Sequence, residues 1–489
     1  MAHKTDTHQP IVTRFAPSPT GFLHIGSART ALYAYLFARQ QGGQFILRIE
    51  DTDKAREVTG AIEHIKESLT WLGLDWDYGP DIPGPFGSCI QSDRLDLYRQ
   101  YATWLWERGL AYPDPFTKEE VETFRAQAQT EKRPFLFRDH RPETVGEWDG
   151  VQPLRFRVPE IKRYSWTDVV RGELSGGAEM LDDFVILKGD GYPTYSFAHI
   201  VDDHEMAVTH VMRGDEFIAS MPKFLSLYDA LEIPWPTFVT LPPIMGPDGK
   251  KKLSKRDGAK DLLEYRTDGI LPETMRNFLA LIGWNPGGDR ELLYATAETD
   301  ELRDAFDLTR IQRSGGAFNA EKLVWMNGEH LKRQSRNDQV TYVHAALEPA
   351  DPLIAERITK LAPTILERYH THQAIRDADG AGEFDWMYEA PNYDTNLLKW
   401  KHDEQTADAL PRLRHVHTLL TNADFSSPDT LKDTLWEYAE ATGKGEVLWP
   451  LRVALSGKER SPDPFTLLYV LGEEASLARI DAACAKIEA

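Results

Sequence analysis

The sequence predicts a mixed α/β fold for the first ~330 residues and an all-α fold for the remainder. The chain has 489 residues, more than one hydrophobic core usually holds, so several domains are expected. Short β-prone runs alternate with helical patterns in the first part, which is typical of a parallel sheet covered by helices. Beyond about Ala305 the strand signals nearly vanish, and helical patterns follow one another to the C-terminus.

The stretch from Ile11 to Asp53 predicts a strand, a loop, a helix and a second strand. Ile11–Phe15 is β-prone, and the following run APSPTG cannot continue as helix or central strand. From Leu23 onward, apolar residues recur at spacings of three and four until a Gly-Gly pair ends the pattern. Phe45–Ile49 would then form the second strand.

The predicted helix begins at His24-Ile25-Gly26. A helix start presents unpaired N–H groups and the positive end of the helix dipole, and both attract phosphate. Glycine permits close approach of a nucleotide, and imidazole can donate hydrogen bonds to phosphate oxygens. Taken alone, the tripeptide also fits a strand-to-helix turn with a structurally satisfied histidine.

A second candidate phosphate site is the glycine-bounded stretch 246–258. It contains five cations, Lys250, Lys251, Lys252, Lys255 and Arg256. A solvated basic loop is the simpler interpretation. The flanking glycines and the helix predicted after it favour a lid that closes over phosphate.

The elements between and after these stretches follow from periodicity. Helices are expected at Asp53–Leu74, Ser92–Arg108, Thr117–Thr130, Ser220–Leu231 and across Asp261–Trp284. Strands are expected at Leu154–Val158, Ser165–Val170, Phe184–Lys188, Ala207–Met212 and Phe238–Leu241, and Ser196–Val201 fits either type. The aromatic positions of the second helix are expected in the core: Tyr98, Tyr101, Trp104 and Trp106.

Two polar groups lie near the predicted strand that ends at Met212. Arg213 follows it, and ligands of doubly wound sheets bind beyond the carboxyl ends of strands. Asp202-Asp203-His204 precedes it. This triplet is consistent with a metal site, although a turn and helix cap is the commoner structure for such a sequence.

Composition restricts compartment and partners. The net charge of −21 argues against general nucleic-acid binding, although local basic surfaces can still bind one folded RNA. The two cysteines, Cys89 and Cys484, suggest neither a disulfide framework nor a structural zinc site, and they fit a reducing cytoplasm. No apolar run approaches the ~18 residues of a membrane span, and the N-terminal MAHKTDTHQP is expected to be a flexible tail.

Four stretches together resemble a known family. RFAPSPTGFLHIGSAR followed by RIEDTD resembles the N-terminal signature of glutamyl-tRNA synthetases, class I enzymes whose HIGH-type motif is HIGS here. The run KLSKR, Lys252–Arg256, resembles their KMSKS-type loop. YRTDGILPETMRNFLALIGW and GKGEVLWPLRVALSGKERSPDPF resemble later parts of the bacterial-type enzymes. Several motifs in the expected order are far more specific than any one of them.

The resemblance implies a Rossmann-like nucleotide-binding catalytic domain with an α+β insertion, followed by an all-α anticodon-binding domain. The implied boundaries are 1–110 for the first half of the catalytic domain, 111–190 for an insertion that binds the acceptor stem, 191–260 for the second half with the KLSKR loop, 261–330 for a helical stem-contact domain and 331–489 for the anticodon-binding domain.

The implied activity is that of a cytoplasmic glutamate–tRNA ligase. It would join L-glutamate to tRNA-Glu with ATP and Mg²⁺, and the same resemblance implies a monomer whose glutamate activation depends on bound tRNA. Whether tRNA-Gln is also charged, and which residues read the anticodon, stay open. Some relatives carry a zinc knuckle in the insertion, but Tyr112–Phe116 reads YPDPF without cysteine, so no zinc is expected.

Site residues are carried over by position. The catalytic pair would be His24 and Lys255. The ATP site would comprise Ser18, His24, Gly26, Glu216, Lys252, Ser254, Lys255 and Arg256. The glutamate site would comprise Arg14, Ala16, Ser18, Glu50, Tyr195 and Arg213. Arg14 and Arg213 can make bidentate carboxylate contacts, and Glu50 suits the ammonium group. His199 stands where relatives vary, so its role is open.

Three alternatives remain. A tRNA modifier of the glutamyl-queuosine type shares the fold but lacks the helical C-terminal domain, and glutaminyl-tRNA synthetase builds its anticodon-binding part from β-barrels, which are not predicted here. A non-catalytic RNA-binding paralogue is disfavoured by the intact His24, Gly26, Lys255 and Arg213.

Overall fold

The computed structural model describes residues 10–144, 146–254, 260–296 and 299–489. The chain forms two compact units. The first unit comprises Met1–Tyr265 and Pro272–Ala320, and the second unit comprises Arg266–Leu271 and Glu321–Ala489. The five predicted domain boundaries remain a prediction.

The opening of the first unit follows the predicted order. Strand β1 (Val12–Phe15) leads through a loop to helix α1 (Ile25–Gln40), and β2 (Gln44–Leu47) follows. The helix ends before Gly42, which adopts a left-handed φ of 64° that favours glycine. At Gly43 an added Cβ would collide with the carbonyl of Ile11, so the return into β2 needs this second glycine.

The main sheet has six strands in the order β2-β1-β8-β9-β5-β6. Its further strands are β5 (Tyr164–Asp168), β6 (Gly172–Gly176), β8 (His210–Gly214) and β9 (Thr237–Leu241). β1 pairs in parallel with β2 and β8, β8 with β9, and β9 with β5, whereas β5 and β6 form an antiparallel hairpin. This hairpin lies within residues 111–190 of the sequence but extends the main sheet.

A smaller sheet of three antiparallel strands accompanies it. The strands are β3 (Ala111–Pro113), β4 (Leu154–Phe156) and β7 (Phe184–Leu187). Helix α4 (Lys118–Thr130) lies between the first two, and Thr117 begins it with a capping box that satisfies its first N–H groups. Buried Asp183 anchors this region because it accepts hydrogen bonds from Tyr112 (3.0 Å) and Arg141 (2.6 Å).

The other helices that lie wholly in the first unit are α2 (Ala61–Trp71), α3 (Leu95–Glu107), α5 (Tyr195–Glu205), α6 (Met221–Ala230), α8 (Pro272–Leu281) and α9 (Glu301–Ala305). One hydrophobic core joins both sheets with α3, α5 and α6. It includes Phe156, Phe197 and Phe224, and each fully buried aromatic or aliphatic side chain contributes ~1.5–3 kcal/mol.

One helix prediction in the first unit was partly wrong. The predicted helix Asp53–Leu74 begins only at Ala61, because Gly60 has a φ of 81° and the chain before it forms a single 3₁₀ turn, Lys54–Arg56. On α3 the core prediction for the four aromatic residues agrees with the structure. Tyr98 is fully buried, and Tyr101, Trp104 and Trp106 are partly buried and pack against the same core.

Among its described residues, the second unit contains helices and connecting loops but no β-strand. Helices α11 (Arg336–Leu347), α12 (Pro352–Leu366), α13 (His372–Gly380), α14 (Asp385–Tyr388), α15 (Ala409–Leu420), α16 (Pro428–Thr442), α17 (Lys444–Ser456) and α18 (Pro464–Glu488) enclose a core of its own. α18 is kinked at Gly472, whose φ of 77° interrupts the helix. The chain passes between the units three times: within α7 (Leu262–Thr267), between Leu271 and Pro272 at the start of α8, and within α10 (Ala320–Leu331).

Asn327 explains why the short segment Arg266–Leu271 belongs to the second unit. Its side-chain amide donates to the carbonyls of Gly269 (3.0 Å) and His370 (2.7 Å), and its oxygen accepts from the Leu271 N–H (2.9 Å). Asn327 is fully buried, so these bonds satisfy an amide that would otherwise be costly to bury. Among the helices of the described residues, none is both long and apolar enough to span a membrane.

Candidate functional site

A cavity of about 450 Å³ opens at the carboxyl ends of β1 and β8. It gathers eight residues that the sequence analysis assigned to the site: Arg14, Ala16, Ser18, His24, Glu50, Tyr195, Arg213 and Glu216. Within the sheet, β1 has β2 as its neighbour on one side and β8 as its neighbour on the other. This reversal of strand order leaves a crevice beyond the strand ends, where open α/β sheets bind ligands.

Arg213 is a buried cation in the wall of this cavity. Its side chain is 7% exposed, and the rings of Phe217, Phe224 and Phe238 lie between 5.2 and 5.5 Å from its guanidinium. Burial lowers the pKa of this guanidinium. Within the described part of the chain, no carboxylate forms an ion pair with it, and its contact at Met221 is with a sulfur atom. An anionic ligand would supply the missing counter-charge.

Arg14 is held differently. Its Nε donates to Asp203 at 3.0 Å, its Nη2 donates to the same carboxylate at 3.4 Å, and its Nη1 donates to the Met212 carbonyl at 3.2 Å. These bonds fix the guanidinium at the cavity wall while leaving part of its five-donor fork for a ligand.

Asp203 and its neighbour Asp202 correct one sequence interpretation. Asp202-Asp203-His204 forms neither a turn nor a cap, since it lies inside α5. Asp203 binds Arg14 and Arg48, and Asp202 accepts hydrogen bonds from Gln91, Arg94 and Tyr98. Burial opposes ionisation of Asp203, but the two arginines outweigh it and hold its pKa below the usual range.

Glu50 follows β2 and lines the same cavity as Arg14 and Arg213. Arg48 donates to its Oε1 from Nη2 (3.0 Å) and Nε (3.3 Å), while Oε2 has no partner among the described residues. Burial raises the pKa of this carboxyl, and the charges of Arg48 and Arg14 oppose the rise. Glu50 therefore offers a buried carboxylate oxygen to a cationic group in the cavity.

Tyr195 forms part of the wall, and His199 supports it from behind. The two rings stack at 4.7 Å with 14° between their planes, and His199 Nδ1 donates to the Tyr195 carbonyl at 2.7 Å. Burial lowers the pKa of His199 to about 3. His199 does not line the cavity. Burial also raises the pKa of Tyr195, which keeps its hydroxyl protonated.

His24 is the N-cap of α1. Its Nδ1 accepts from the Ser27 N–H at 3.5 Å, so a neutral ring carries its hydrogen on Nε2. A Cβ added to Gly26 would lie 3.3 Å from this imidazole, which explains the need for a small residue in the first turn. The cavity thus has an imidazole donor beside a helix N-terminus.

Two exposed residues complete the predicted part of the lining. Ser18 lies in the loop after β1, and Glu216 follows β8. The Glu216 carboxylate folds back over Gly214, where any side chain would collide with it.

Five residues predicted for the ATP site are not found in the cavity lining, and two of these five lie outside the described residues. Gly26, Lys252 and Ser254 do not line the cavity, although Lys252 pairs with Met245 in a short β-bridge. Lys255 and Arg256 lie outside the described residues.

The cavity is also lined by Ser27, Thr30 and Phe217, which were not predicted from the sequence. Ser27 and Thr30 are three and six residues beyond His24, a helical spacing that could have identified them. Phe217 directly follows Glu216, but nothing in its sequence context distinguishes it from a core residue.

Neither a second hollow nor any cluster of metal-binding side chains among the described residues forms a competing site. The hollow, about 560 Å³, lies over α3 alone and is lined by six residues of that one helix. It brings no separate elements together. Among the described residues, no group of three or more histidine, cysteine, aspartate or glutamate side chains is arranged to hold a metal ion.

Comparison with known families assigns both parts of the chain. Residues 10–325 match the catalytic domain of class I tRNA synthetases (E and Q), and residues 341–484 match an anticodon binding domain. The glutamate–tRNA ligase of Clostridium acetobutylicum is 37% identical over 492 residues, which cover 98% of this chain and 99% of the relative. That of Anaeromyxobacter sp. (strain K) is 39% identical over 480 residues, covering 96% and 97%.

A solved structure agrees with the sequence relatives. The crystal structure of a glutamate tRNA ligase from Elizabethkingia meningosepticum, in complex with its amino acid, matches with a TM-score of 0.84 and 32% identity, covering 98% of this chain and 99% of that one. The predicted fold class, an α/β catalytic domain followed by a helical anticodon-binding domain, is therefore confirmed. The chain belongs to the glutamate–tRNA ligase family of class I tRNA synthetases.

Proposed function

We propose that this protein is a glutamate–tRNA ligase that activates L-glutamate with ATP and transfers it to the 3′ end of tRNA-Glu. Full-length similarity to curated ligases of this kind supports the proposal. The single observation in the molecule that carries it furthest is the buried guanidinium of Arg213, which forms no ion pair with any described residue and lies in a cavity that also contains a carboxylate and a helix N-terminus.

Glutamate has two carboxylates and one ammonium group, and the cavity wall offers groups of complementary charge. Arg213 would bind one carboxylate of the substrate, and the remaining donors of Arg14 would bind the other. The Oε2 atom of Glu50 would accept a hydrogen bond from the ammonium group. Bonds between oppositely charged groups in a buried site are short and strong, so these three residues would set both orientation and preference for an acidic amino acid.

ATP would lie beside the amino acid, against the start of α1. The α-carboxylate of glutamate attacks the α-phosphorus of ATP, and pyrophosphate leaves. His24 would donate from Nε2 to a phosphate oxygen, with Ser18, Gly26, Glu216, Lys252, Ser254, Lys255 and Arg256 completing the nucleotide site. This step needs alignment of the reactants and stabilisation of negative charge, and no protein nucleophile is required. A magnesium ion bound to ATP would supply further charge neutralisation at the phosphates.

In the second step a ribose hydroxyl at the 3′ end of tRNA attacks the glutamyl carbonyl, and AMP leaves. The helical second unit would bind the anticodon end of the tRNA. Because the protein carries a net charge of −21, tRNA binding would depend on local basic surfaces, and non-specific RNA would bind weakly. We also propose that the protein acts as a cytoplasmic monomer.

The decisive experiment is aminoacylation with radiolabelled glutamate and, separately, glutamine, on tRNA-Glu and tRNA-Gln transcripts. Glutamate on tRNA-Glu alone is expected of a discriminating enzyme, whereas glutamate on both would require an amidotransferase to correct glutamyl-tRNA-Gln. A Lys255→Ala variant serves as the inactive control. If a folded wild-type protein charges neither tRNA, the proposal fails and a non-catalytic RNA-binding role replaces it.

A further inference from the structure

His64 connects three separate segments of the first unit beside the cavity. It lies on α2, and the N–H of Leu23, in the loop between β1 and α1, donates to its Nδ1 at 3.2 Å. Its Nε2 lies 2.7 Å from Oδ1 of Asp261, the residue before α7. The ring also stacks on Phe22 at 4.5 Å with 17° between the planes.

These contacts define one tautomer of the ring. A backbone N–H can only donate, so Nδ1 must accept from Leu23. The hydrogen of a neutral ring then sits on Nε2 and is donated to the Asp261 carboxylate. The side chain of His64 is 10% exposed and that of Asp261 19% exposed, so both bonds are largely shielded from water. The Ser68 hydroxyl also lies 3.4 Å from Nδ1, so the ring contacts Leu23 and Ser68 at one end and Asp261 at the other.

The segment that His64 holds is the one that carries His24. Leu23 also accepts a hydrogen bond from the Leu262 N–H at 2.9 Å, and His24 pairs with Asp261 in a short antiparallel bridge. Phe22, Leu23 and His24 all line the cavity. Leu23 therefore contacts His64 directly and also lines the cavity.

We propose that His64 is a positioning residue for the activation step, which it serves by fixing the Phe22–His24 segment between α2 and Asp261. This inference rests on the proposed function. Loss of the ring would leave the Leu23 N–H without its acceptor and free His24 to shift. The glutamate-facing groups, Arg14, Glu50 and Arg213, are held by other contacts and would keep their places.

The test uses three substitutions of His64 that differ in which of its hydrogen bonds they can still form. His64→Ala removes both contacts, His64→Asn can still accept from Leu23, and His64→Gln can still reach Asp261. Glu63→Ala on the exposed face of α2 is the matched control, since the Glu63 side chain hydrogen-bonds only with Lys66 among the residues that the structure describes. ATP–pyrophosphate exchange is measured in the presence of tRNA-Glu, and kcat and the KM values for ATP and glutamate are determined separately.

We expect His64→Ala to lower kcat by about tenfold or more, because small displacements of an aligned catalytic group are costly. Asn and Gln should recover part of the loss, and KM for glutamate should stay at the wild-type value in all three variants. A wild-type kcat for His64→Ala overturns the inference. So does a rise in glutamate KM that parallels the fall in kcat, because that pattern indicates general damage to the unit.

The two proposals fail in different ways. Absence of exchange by the wild-type protein overturns the proposed function and, with it, any positioning role for His64. Normal wild-type exchange combined with unchanged His64 variants overturns the inference alone. If His64→Ala does not fold, the Asn and Gln variants carry the test, since each keeps one of the two hydrogen bonds.

Discussion

At the scale of single residues, the two cavity arginines differ in whether a carboxylate of the protein already forms an ion pair with them. Arg14 is bound to Asp203, whereas Arg213 is surrounded by aromatic rings and has no ion-pair partner among the described residues. Burying an unpaired cation is unfavourable, and a bound carboxylate would relieve that cost. Arg213 is therefore the residue whose replacement should affect glutamate binding most selectively.

We predict that Arg213→Lys raises KM for glutamate by about 10- to 100-fold, because a hydrogen bond to a charged group contributes ~1.5–3 kcal/mol. Lysine has a single ammonium group and cannot reproduce the two parallel N–H donors. KM for ATP should stay close to the wild-type value. Steady-state exchange assays with each substrate varied in turn would measure both.

Arg171→Lys is the control for this prediction. Arg171 makes a partly exposed ion pair with Asp215 at 3.3 Å and does not line the cavity, so its replacement should leave both KM values unchanged. An Arg213→Lys enzyme with normal glutamate KM would show that another residue binds the substrate carboxylate.

His199 predicts a pH dependence of stability. Its folded-state pKa of about 3 lies below the ~6.5 of an unfolded histidine, so between these values only the unfolded chain binds the proton. Stability is therefore unaffected above pH ~6.5 and falls as the pH drops below it, by ~2 kcal/mol at pH ~5. We predict that His199→Asn removes this loss.

Urea unfolding of both proteins at pH 7.5 and pH 5 would measure the effect. His204→Asn is the control, since His204 is exposed on the same helix and should leave the wild-type acid sensitivity in place. Equal pH dependence of wild type and His199→Asn would contradict the assignment of the buried, neutral imidazole.

At the scale of elements, the start of α1 combines a structural and a functional requirement in one turn. His24 caps the helix, and Gly26 leaves room for its ring. The Cβ of an alanine at position 26 would sit 3.3 Å from the imidazole, so the ring would have to move by a few tenths of an ångström.

We predict that Gly26→Ala leaves the melting temperature unchanged or slightly higher, because alanine favours helix over glycine by ~0.5–1 kcal/mol. The same change should lower kcat by about tenfold, since the ring shifts and the added methyl group narrows the approach to the helix start. Gly380→Ala, where an added Cβ meets nothing within 4 Å, should change neither activity nor folding cooperativity. A fully active Gly26→Ala enzyme would contradict this account.

The sequence predicted those elements whose signals are local. β1, α1 and β2 were expected from one strand, one helical period and a Gly-Gly stop, and the structure contains all three. The antiparallel partner β6 was missed because Gly172–Gly176 has little β propensity, and its pairing with β5 supplies the structure. Asp202 and Asp203 were misjudged because their partners, Arg14, Arg48 and Arg94, are distant in the sequence.

At the scale of the whole molecule, the chain comprises two units, and the predicted change from α/β to all-α structure corresponds to this division. Composition alone would have argued against RNA as a partner, because the net charge is −21. Ordered motifs indicated the family where bulk charge could not, since a small number of positioned groups determines binding at a site. The residues that would read the anticodon have no such local signal.

The central claim is that the cavity at the ends of β1 and β8 selects glutamate and activates it with ATP. The most direct test is ATP–pyrophosphate exchange by the wild-type protein with tRNA-Glu present, with L-glutamate compared with L-glutamine. We predict exchange with glutamate and little with glutamine, because the amide lacks the charge that Arg213 requires. Equal exchange with both amino acids, or none with glutamate by a folded protein, would contradict the claim.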